Sequence, residues 1–250
     1  MRILQCRVSE SLKIFENGFM KRWKLAEYTN HNEPCVFVGV YGEGNVNIIN
    51  KHAGFKIIMY CGSDIIKAGR NKADGFVSDM SIYERIIKTK IPDCKYLTVP
   101  IKSYNQFQLC PLGDKIYIYL RDASIGSTEL FKYKQLQELM DHFGEHSFVL
   151  GYQGFPIEYV YENYYKKSFI NLQLNPAAGY TSALEMAHMG RTSVSNYPAP
   201  FCCPYKNTEE IIRIIELERE NIGKERLVTA QSAQKTCNIS DEWLNTEYWK

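Results

Sequence analysis

Between residues 169 and 190 the chain reads Phe169-Ile-Asn-Leu-Gln-Leu-Asn-Pro-Ala-Ala-Gly-Tyr-Thr-Ser-Ala-Leu-Glu-Met-Ala-His-Met-Gly190. The apolar start, residues 169–174, predicts a buried strand, and Asn175-Pro176 predicts a turn because proline is poorly tolerated inside a helix or a central strand. A patch of small residues then leads into a helix that runs to Met189, with Gly190 as its C-cap. The order of strand, glycine turn and helix is typical of an α/β fold.

The first turn of this helix carries hydroxyl side chains. A helix start presents free backbone N–H groups and a partial positive charge, which suit a phosphate or diphosphate. Glu185 follows Thr181 and Ser182 by four and three residues, so it lies on the same face at what we expect to be a half-exposed position. A carboxylate there can accept two hydrogen bonds from a vicinal diol such as a ribose. The alternative, common in α/β folds, is an amphipathic helix with a solvated glutamate.

The composition is that of an ordinary soluble globular protein, with 45% apolar and 23% charged residues among 250. A net charge of +2 gives no reason to expect a nucleic-acid binder. The eight cysteines form no CxxC pair, and Cys202-Cys203 are a poor zinc arrangement, so we expect reduced thiols in a cytoplasmic protein. The N-terminus has no apolar core of a signal peptide, and no apolar run approaches the about 20 residues of a membrane span.

Short strands alternate with helices along most of the chain, which predicts βαβ units and mostly parallel sheets. The predicted strands are residues 36–40, 56–60, 74–78, 96–99, 115–120, 146–150, 169–174 and 192–195. The predicted helices are residues 7–26, 45–52, 81–88, 131–143, 156–165, the one ending at Met189, and 208–221, which Thr208 would cap. The stretch from Pro100 to Gly113 breaks the alternation and is predicted to link two α/β halves. A ligand is expected in the cleft between the carboxyl ends of their strands.

Two Rossmann-like halves with a Gly-Tyr-Thr-Ser…Glu helix in the second resemble the GT-B glycosyltransferases of the polysaccharide-type, group 1-like kind. The segment Gly179–Gly190 is similar to the donor-site pattern of that fold, in which a small-residue turn precedes a helix that reads EAmaxG. In the first half, Phe37-Val-Gly-Val-Tyr41 and Ile58-Met-Tyr-Cys-Gly-Ser-Asp64 resemble the G-x-Y and W-x-G-S-D segments. The resemblance covers most of residues 34–224.

The resemblance implies an α/β fold of two Rossmann-like domains that face each other across a cleft, in a compact member with a reduced N-terminal domain. Residues 1–100 would form the acceptor-side domain, residues 101–224 the nucleotide-sugar-binding domain, and residues 225–250 a tail that packs back on them. The first half is short, so the question of whether a partner subunit or an oligomer completes the acceptor side stays open.

The resemblance also implies roles for individual residues. The N–H groups and hydroxyls that would hold the diphosphate belong to Gly179, Tyr180, Thr181 and Ser182. Glu185 would hold the ribose, Tyr152 would stack on the nucleobase, and Arg121 would neutralise the leaving diphosphate. For Tyr152 and Arg121 the alternative is a surface residue at the end of a strand. Retaining members often carry E-x7-E, but Ala177 stands eight residues before Glu185, so retention or inversion stays open.

An inverting transfer needs a general base for the acceptor hydroxyl. Asp64, which follows the Gly62-Ser63 turn, is the first candidate and Glu43 the second; Asp79 and His52 are weaker ones. The alternative for Asp64 is an Asx turn or an N-cap.

The chain contains no Asp-x-Asp, the pair that GT-A transferases generally use to hold a metal on the donor, and it lacks G-x-G-x-x-G and a P-loop. We therefore expect a metal-independent glycosyltransferase without a cofactor, which moves a sugar from a UDP- or GDP-sugar to a glycan or other hydroxyl acceptor. The alternatives are a sugar-nucleotide epimerase of the same fold and a non-catalytic, sugar-nucleotide-binding accessory subunit. The sequence specifies neither the sugar nor the acceptor.

Overall fold

The computed structural model describes residues 4–62, 64–65, 71–78, 89–97, 99–120, 133–152, 154–174 and 181–249, with Ser78 described by its backbone. The chain divides into two compact units: unit 1 comprises Met1–Ser103 with Cys237–Lys250, and unit 2 comprises Tyr104–Thr236. The acceptor-side and donor-side roles of the two halves, with boundaries at residues 100 and 224, stay predictions.

Unit 1 is built on a six-stranded sheet with the order β2-β1-β3-β4-β5-β6, in which every neighbouring pair is parallel. Its strands are β1 (Gln5–Val8), β2 (Ala26–Glu27), β3 (Cys35–Val38), β4 (Lys56–Tyr60), β5 (Gly75–Ser78) and β6 (Lys95–Tyr96). Its described helices include α1 (Glu16–Trp23), which follows a 3-10 segment at Glu10–Phe15, and α2 (Glu43–Lys51). β3 is buried along its whole length because a parallel strand is covered on both faces.

The prediction of one helix over residues 7–26 is wrong. β1 begins this region, and only Glu16–Trp23 forms an α-helix, with Phe19 and Trp23 buried one turn apart on the same face. A mixture of apolar and polar residues also fits a short strand. Here β1 forms a strand because it pairs with β2 and β3. The predicted strand at 96–99 is shorter and ends at Tyr96. The predicted helix at 81–88 lies outside the described residues.

The end of the chain packs on unit 1. Trp243 is 2% exposed and meets Trp23 edge-on, with ring centroids 5.4 Å apart. The ring of Trp249 lies against Gly75 so closely that a Cβ there would be 2.5 Å from it. The Nζ atom of Lys95 lies 3.4 Å from the centroid of the Tyr248 ring and donates to the Tyr248 carbonyl at 3.0 Å. This packing explains why the last residues are rich in aromatic side chains.

Unit 2 is built on a five-stranded parallel sheet with the order β11-β10-β9-β7-β8. Its strands are β7 (Lys115–Tyr119), β8 (Phe148–Gly151), β9 (Ser168–Leu172), β10 (Thr192–Val194) and β11 (Cys202–Cys203). Its described helices include α3 (Tyr133–Phe143), α4 (Ile157–Val160), a one-turn π-helix at Tyr161–Tyr165, α5 (Thr181–His188) and α6 (Thr208–Arg219). A further helix, α7 (Leu227–Cys237), which the sequence analysis did not assign, connects unit 2 to the last residues of unit 1.

The predicted strands of unit 2 are present within two residues of their expected ends. The predicted helix at 156–165 is instead α4 followed by the π-helix. The N-cap of α6 is Asn207 and not Thr208, because the Asn207 side chain accepts a 2.9 Å hydrogen bond from the Glu210 N–H. α5 ends at His188, one residue before its predicted end, and Gly190 closes it as predicted: its φ of 93° suits glycine, and its N–H donates to the Ala187 carbonyl at 2.9 Å.

Within the described residues, no helix combines the length and the apolar character of a membrane span. No disulfide joins the eight cysteines, all of which lie in the described part of the chain. A cytoplasmic location stays a prediction.

Candidate functional site

The start of α5 lies at the carboxyl edge of the sheet in unit 2. β9 ends at Leu172, and in the next residue the Gln173 Nε2 atom donates a 2.9 Å hydrogen bond to Ser182 Oγ in the first turn of α5. Thr181 and Ser182 are half-buried. Ligands of parallel α/β sheets bind outside the carboxyl ends of the strands, so both residues lie where a ligand site is expected.

Four residues of the predicted site lie outside the described residues: Arg121, Gly179, Tyr180 and the weak base candidate Asp79. Their roles stay predictions. Gln173, by contrast, was missed by the sequence analysis. The signal that would have found it is a polar residue near the end of the predicted strand 169–174, at the edge where the site was expected.

Glu185 does not occupy the half-exposed position that the sequence analysis expected. Its exposed fraction is 3%, and its Oε2 atom accepts a hydrogen bond from the Tyr165 hydroxyl. The expectation was wrong because α5 is not amphipathic: every residue from Ala183 to His188 is buried. A helix that is covered all round belongs to the interior, and a carboxylate inside it needs hydrogen-bond donors from the protein.

Two buried tyrosines stand behind Glu185. Tyr165 ends the π-helix and is 3% exposed, and Tyr117 of β7 meets it edge-on with ring centroids 5.0 Å apart. Burial is the main cause that raises the pKa of both tyrosines. Both hydroxyls therefore keep their protons at neutral pH. The Tyr117 hydroxyl lies directly against Gly151 at the end of β8, where a Cβ would collide with it.

An aromatic surface follows β8. Tyr152 comes directly after the strand, is half-buried and packs on the core of unit 2. Phe155 and Tyr159 are each 44% exposed and are stacked with centroids 5.0 Å apart, and Tyr164 meets both edge-on. Stacking of a base on Tyr152 stays a prediction. The exposed pair, Phe155 and Tyr159, enlarges the aromatic surface that follows β8.

In unit 1, Asp64 is 2% exposed and joins the turns after β3 and β4. Its Oδ2 atom accepts a 2.8 Å hydrogen bond from the Val40 N–H, and its Oδ1 atom accepts one of 3.2 Å from the Cys61 N–H. Burial raises the pKa of this carboxyl to about 6, although the backbone hydrogen bonds oppose the change. These contacts are those of the turn-capping alternative, and a role as general base stays a prediction.

The other base candidates differ in exposure. Glu43 is the first residue of α2 and is exposed. His52 follows the far end of the same helix and is 2% exposed, edge-on to Phe37 and 3.3 Å from the Tyr28 hydroxyl. Burial lowers the pKa of His52, as expected for a core histidine. Within the described residues, no group of three His, Cys, Asp or Glu side chains is arranged to hold a metal ion, and independence from metal stays a prediction.

No protein-family model matches the chain, and no curated protein matches it. Among solved structures, it is similar to TarM, with 11% identity and a TM-score of 0.50 over 88% of this chain and 56% of that one. It is also similar to accessory secretory proteins 1, 2 and 3 of Streptococcus pneumoniae, with 10% identity and a TM-score of 0.48 over 95% of this chain and 56% of that one. A third match is the glycosylation-associated Gap123 complex of Streptococcus agalactiae, with 10% identity and a TM-score of 0.45 over 96% of this chain and 57% of that one.

The chain thus spans little more than half the length of the solved chains that it matches. At 11% identity, the likeness to TarM concerns the fold alone. The chain has an α/β fold with two parallel sheets, which agrees at a coarse level with two Rossmann-like units.

Proposed function

We propose that this chain is a GT-B-type glycosyltransferase that binds a nucleotide-diphosphate sugar at the start of α5 and transfers the sugar to a hydroxyl acceptor. The observation that carries the proposal is the Gln173–Ser182 hydrogen bond, which holds the first turn of α5 at the carboxyl edge of the unit 2 sheet. The proposal combines this position with the sequence resemblance of residues 179–190 to a donor site.

The chemistry that this arrangement would supply is electrostatic. The N–H groups at the start of α5 have no partner within the helix, and they would donate to the diphosphate as charge leaves the sugar. Ser182 would donate its own proton to a phosphate oxygen, because its Oγ atom already accepts from Gln173. Of the two main base candidates, Glu43 is exposed whereas Asp64 is committed to backbone N–H groups, so we favour Glu43 as the group that contacts the acceptor.

Nucleotide binding is the first test. UDP, GDP, CMP and dTDP are compared with their nucleosides in a thermal-shift assay, because a ligand that binds only the folded chain raises its melting temperature. We expect UDP or GDP to raise it and the nucleosides to have little effect. Ser182→Ala should weaken binding of the active nucleotide about tenfold, the scale of one hydrogen bond to a charged group.

The matched control is Ser240→Ala, which removes an exposed serine hydroxyl from unit 1. It should bind as the wild type does. If none of the four nucleotides shifts the melting temperature, the donor site is not here.

Donor hydrolysis is the second test. A transferase incubated with its donor alone usually releases some nucleoside diphosphate, and we expect that release to continue in excess EDTA. The activating group in this proposal is a helix N-terminus, which needs no metal. Turnover that stops in EDTA and returns with Mg²⁺ or Mn²⁺ would contradict the proposal of metal independence.

An accessory, non-catalytic subunit is the second candidate. It is favoured by the burial of Asp64 and Glu185, whose carboxylates bind groups of the protein itself. This candidate predicts a nucleotide-dependent thermal shift without any release of nucleoside diphosphate. The epimerase alternative gains no support from any contact in the described part of the chain.

A further inference from the structure

The order of the strands in unit 2 singles out one position at the carboxyl edge of its sheet. β7 comes first along the chain and lies between β8 and β9, so the chain crosses from one side of β7 to the other after β8. In open α/β sheets of this order, ligands bind in the crevice where the connections after two adjacent strands depart in opposite directions. In unit 2 that crevice lies between the end of β7, at Tyr119, and the end of β9, at Leu172.

The side chains at this crevice lie on the α5 side of the sheet. Ile118 pairs with Leu172, and both belong to the apolar core on the opposite side, which α3 and α6 cover. Because side chains alternate along a strand, Tyr119 and Gln173 lie on the other side, as neighbours in adjacent strands. The hydrogen bond from Gln173 to Ser182 of α5 agrees with this placement. Tyr119 is therefore next to the residue that holds the first turn of α5.

β8, the other neighbour of β7, is followed by the aromatic surface. Tyr117 lies two residues before Tyr119 on the same side of β7, and its ring is stacked with that of Tyr164, with centroids 6.2 Å apart. Tyr164 in turn meets the exposed rings of Phe155 and Tyr159 edge-on. Tyr119 itself is 38% exposed, so a ligand that lies along this edge can reach it.

A nucleoside diphosphate has its base, ribose and diphosphate in a fixed order. In the proposed function the diphosphate binds at the start of α5, next to Gln173, and the aromatic surface after β8 offers ring faces for the base. The distance from β8 to β9 is two strand spacings, about 10 Å, so the ribose would lie over β7. We propose that Tyr119 is a specificity-determining residue of the donor site: its ring packs against the ribose of the bound nucleotide. This inference rests on the proposed function, and it gives the ribose a contact other than the buried Glu185.

The experiment compares UDP or GDP, whichever the wild type binds, with an acyclic nucleoside diphosphate that has the same base and lacks the sugar ring. Titration calorimetry measures both dissociation constants, with the weaker ligand in competition with the stronger. We expect Tyr119→Ala to weaken binding of the ribonucleotide about five- to tenfold, because the apolar contact with one sugar ring is lost, and to leave binding of the acyclic analogue unaffected. Tyr119→Phe keeps the ring and should bind both ligands as the wild type does.

The matched control is Tyr133→Ala, which removes another exposed tyrosine of unit 2, one that is 45% exposed at the first residue of α3. It should bind both ligands as the wild type does. If Tyr119→Ala also binds both as the wild type does, or binds both more weakly by the same factor, the ring does not contact the ribose, and the inference is overturned while the proposed function stands. If Tyr119→Ala does not fold, Tyr119→Thr, which suits a strand, is judged by the same criteria. A wild-type chain that binds no nucleotide overturns the proposed function, and this inference with it.

Discussion

Asp64 illustrates at the scale of one residue how burial and hydrogen bonding compete. Four backbone N–H groups, including those of Val40 and Cys61, favour its ionised form, but desolvation has the larger effect and raises the pKa to about 6. As the pH falls, the folded chain therefore takes up a proton on Asp64 near pH 6, whereas the unfolded chain does so only near pH 4, so the two states differ in a window between about pH 4 and pH 6. The contribution of Asp64 to the free energy of unfolding is greatest at low pH and falls as the pH rises through this window.

Asp64→Asn should remove this pH dependence. A pKa difference of about two units corresponds to about 3 kcal/mol, so wild type should lose that much more stability than the variant between pH 4 and pH 7. Urea unfolding at several pH values measures the difference. Asp64→Ala is the control: it also lacks the titrating group, so it should show the same pH dependence as Asp64→Asn at a lower overall stability, because Val40 and Cys61 lose their acceptor. If the stability of Asp64→Asn changes with pH as that of the wild type does, the buried charge of Asp64 is not the cause of the pH dependence.

The environment of Glu185 could be predicted from the sequence only in part. Its helix face and its distance from Thr181 were predictable from spacing. Its burial was not, because a donor that helps to make burial tolerable comes from Tyr165, twenty residues earlier, across a turn of a type that has no sequence signal. Because Glu185 is buried, we expect Glu185→Gln to lower the free energy of unfolding by about 1–3 kcal/mol through the disturbed buried hydrogen bond.

That loss of stability is measurable by urea unfolding of Glu185→Gln beside Tyr165→Phe, which removes the same hydrogen bond from its other side. Both variants should lose stability to a similar degree. If Glu185→Gln is as stable as the wild type, the contact with Tyr165 does not stabilise the fold.

At the scale of one element, α6 tests the assignment of a helix start. The sequence pattern favoured Thr208 as the N-cap, but the side chain that accepts from the Glu210 N–H belongs to Asn207. Asn207→Ala should lower the free energy of unfolding by about 1 kcal/mol, the usual cost of losing an N-cap. Thr208→Ala is the matched control and should cost less, because within the described residues the Thr208 hydroxyl bonds the side chains of Gln135 and Glu138 and no backbone N–H of α6. Urea unfolding followed by far-UV circular dichroism compares the stability of the two variants. A larger loss of stability in Thr208→Ala would show that Thr208 is the N-cap.

Elements with a single dominant signal were predictable. β4 and β9 are continuous apolar runs bounded by turn residues, and the sequence located both within two residues. Short edge strands such as β2 and β11 were missed because two residues carry no periodicity, and their pairing with β1 and β10 is decided by tertiary contacts. The π-helix was missed because its first residues continue an ordinary helical pattern.

At the scale of the whole molecule, all three tryptophans, Trp23, Trp243 and Trp249, lie in unit 1. Tryptophan fluorescence therefore reports the unfolding of unit 1. Trp243→Ala should lower the stability of that unit by about 3–5 kcal/mol, the usual cost of truncating a large buried side chain, and the two remaining tryptophans can follow the transition. Glu242→Ala, at an exposed position of the same 3-10 turn, should leave the midpoint unchanged. An unchanged midpoint for Trp243→Ala would mean that the end of the chain does not stabilise unit 1.

The return of residues 237–249 to unit 1 also has a consequence for synthesis on the ribosome. Domains usually fold in the order in which they emerge, from the N-terminus onward. Here the unit that is translated first lacks Trp243 until every residue of unit 2 has been added. Nascent unit 1 therefore exposes the apolar surface that Trp23 and Phe19 later share with Trp243, and we expect it to be the part of the chain that a chaperone holds while translation continues.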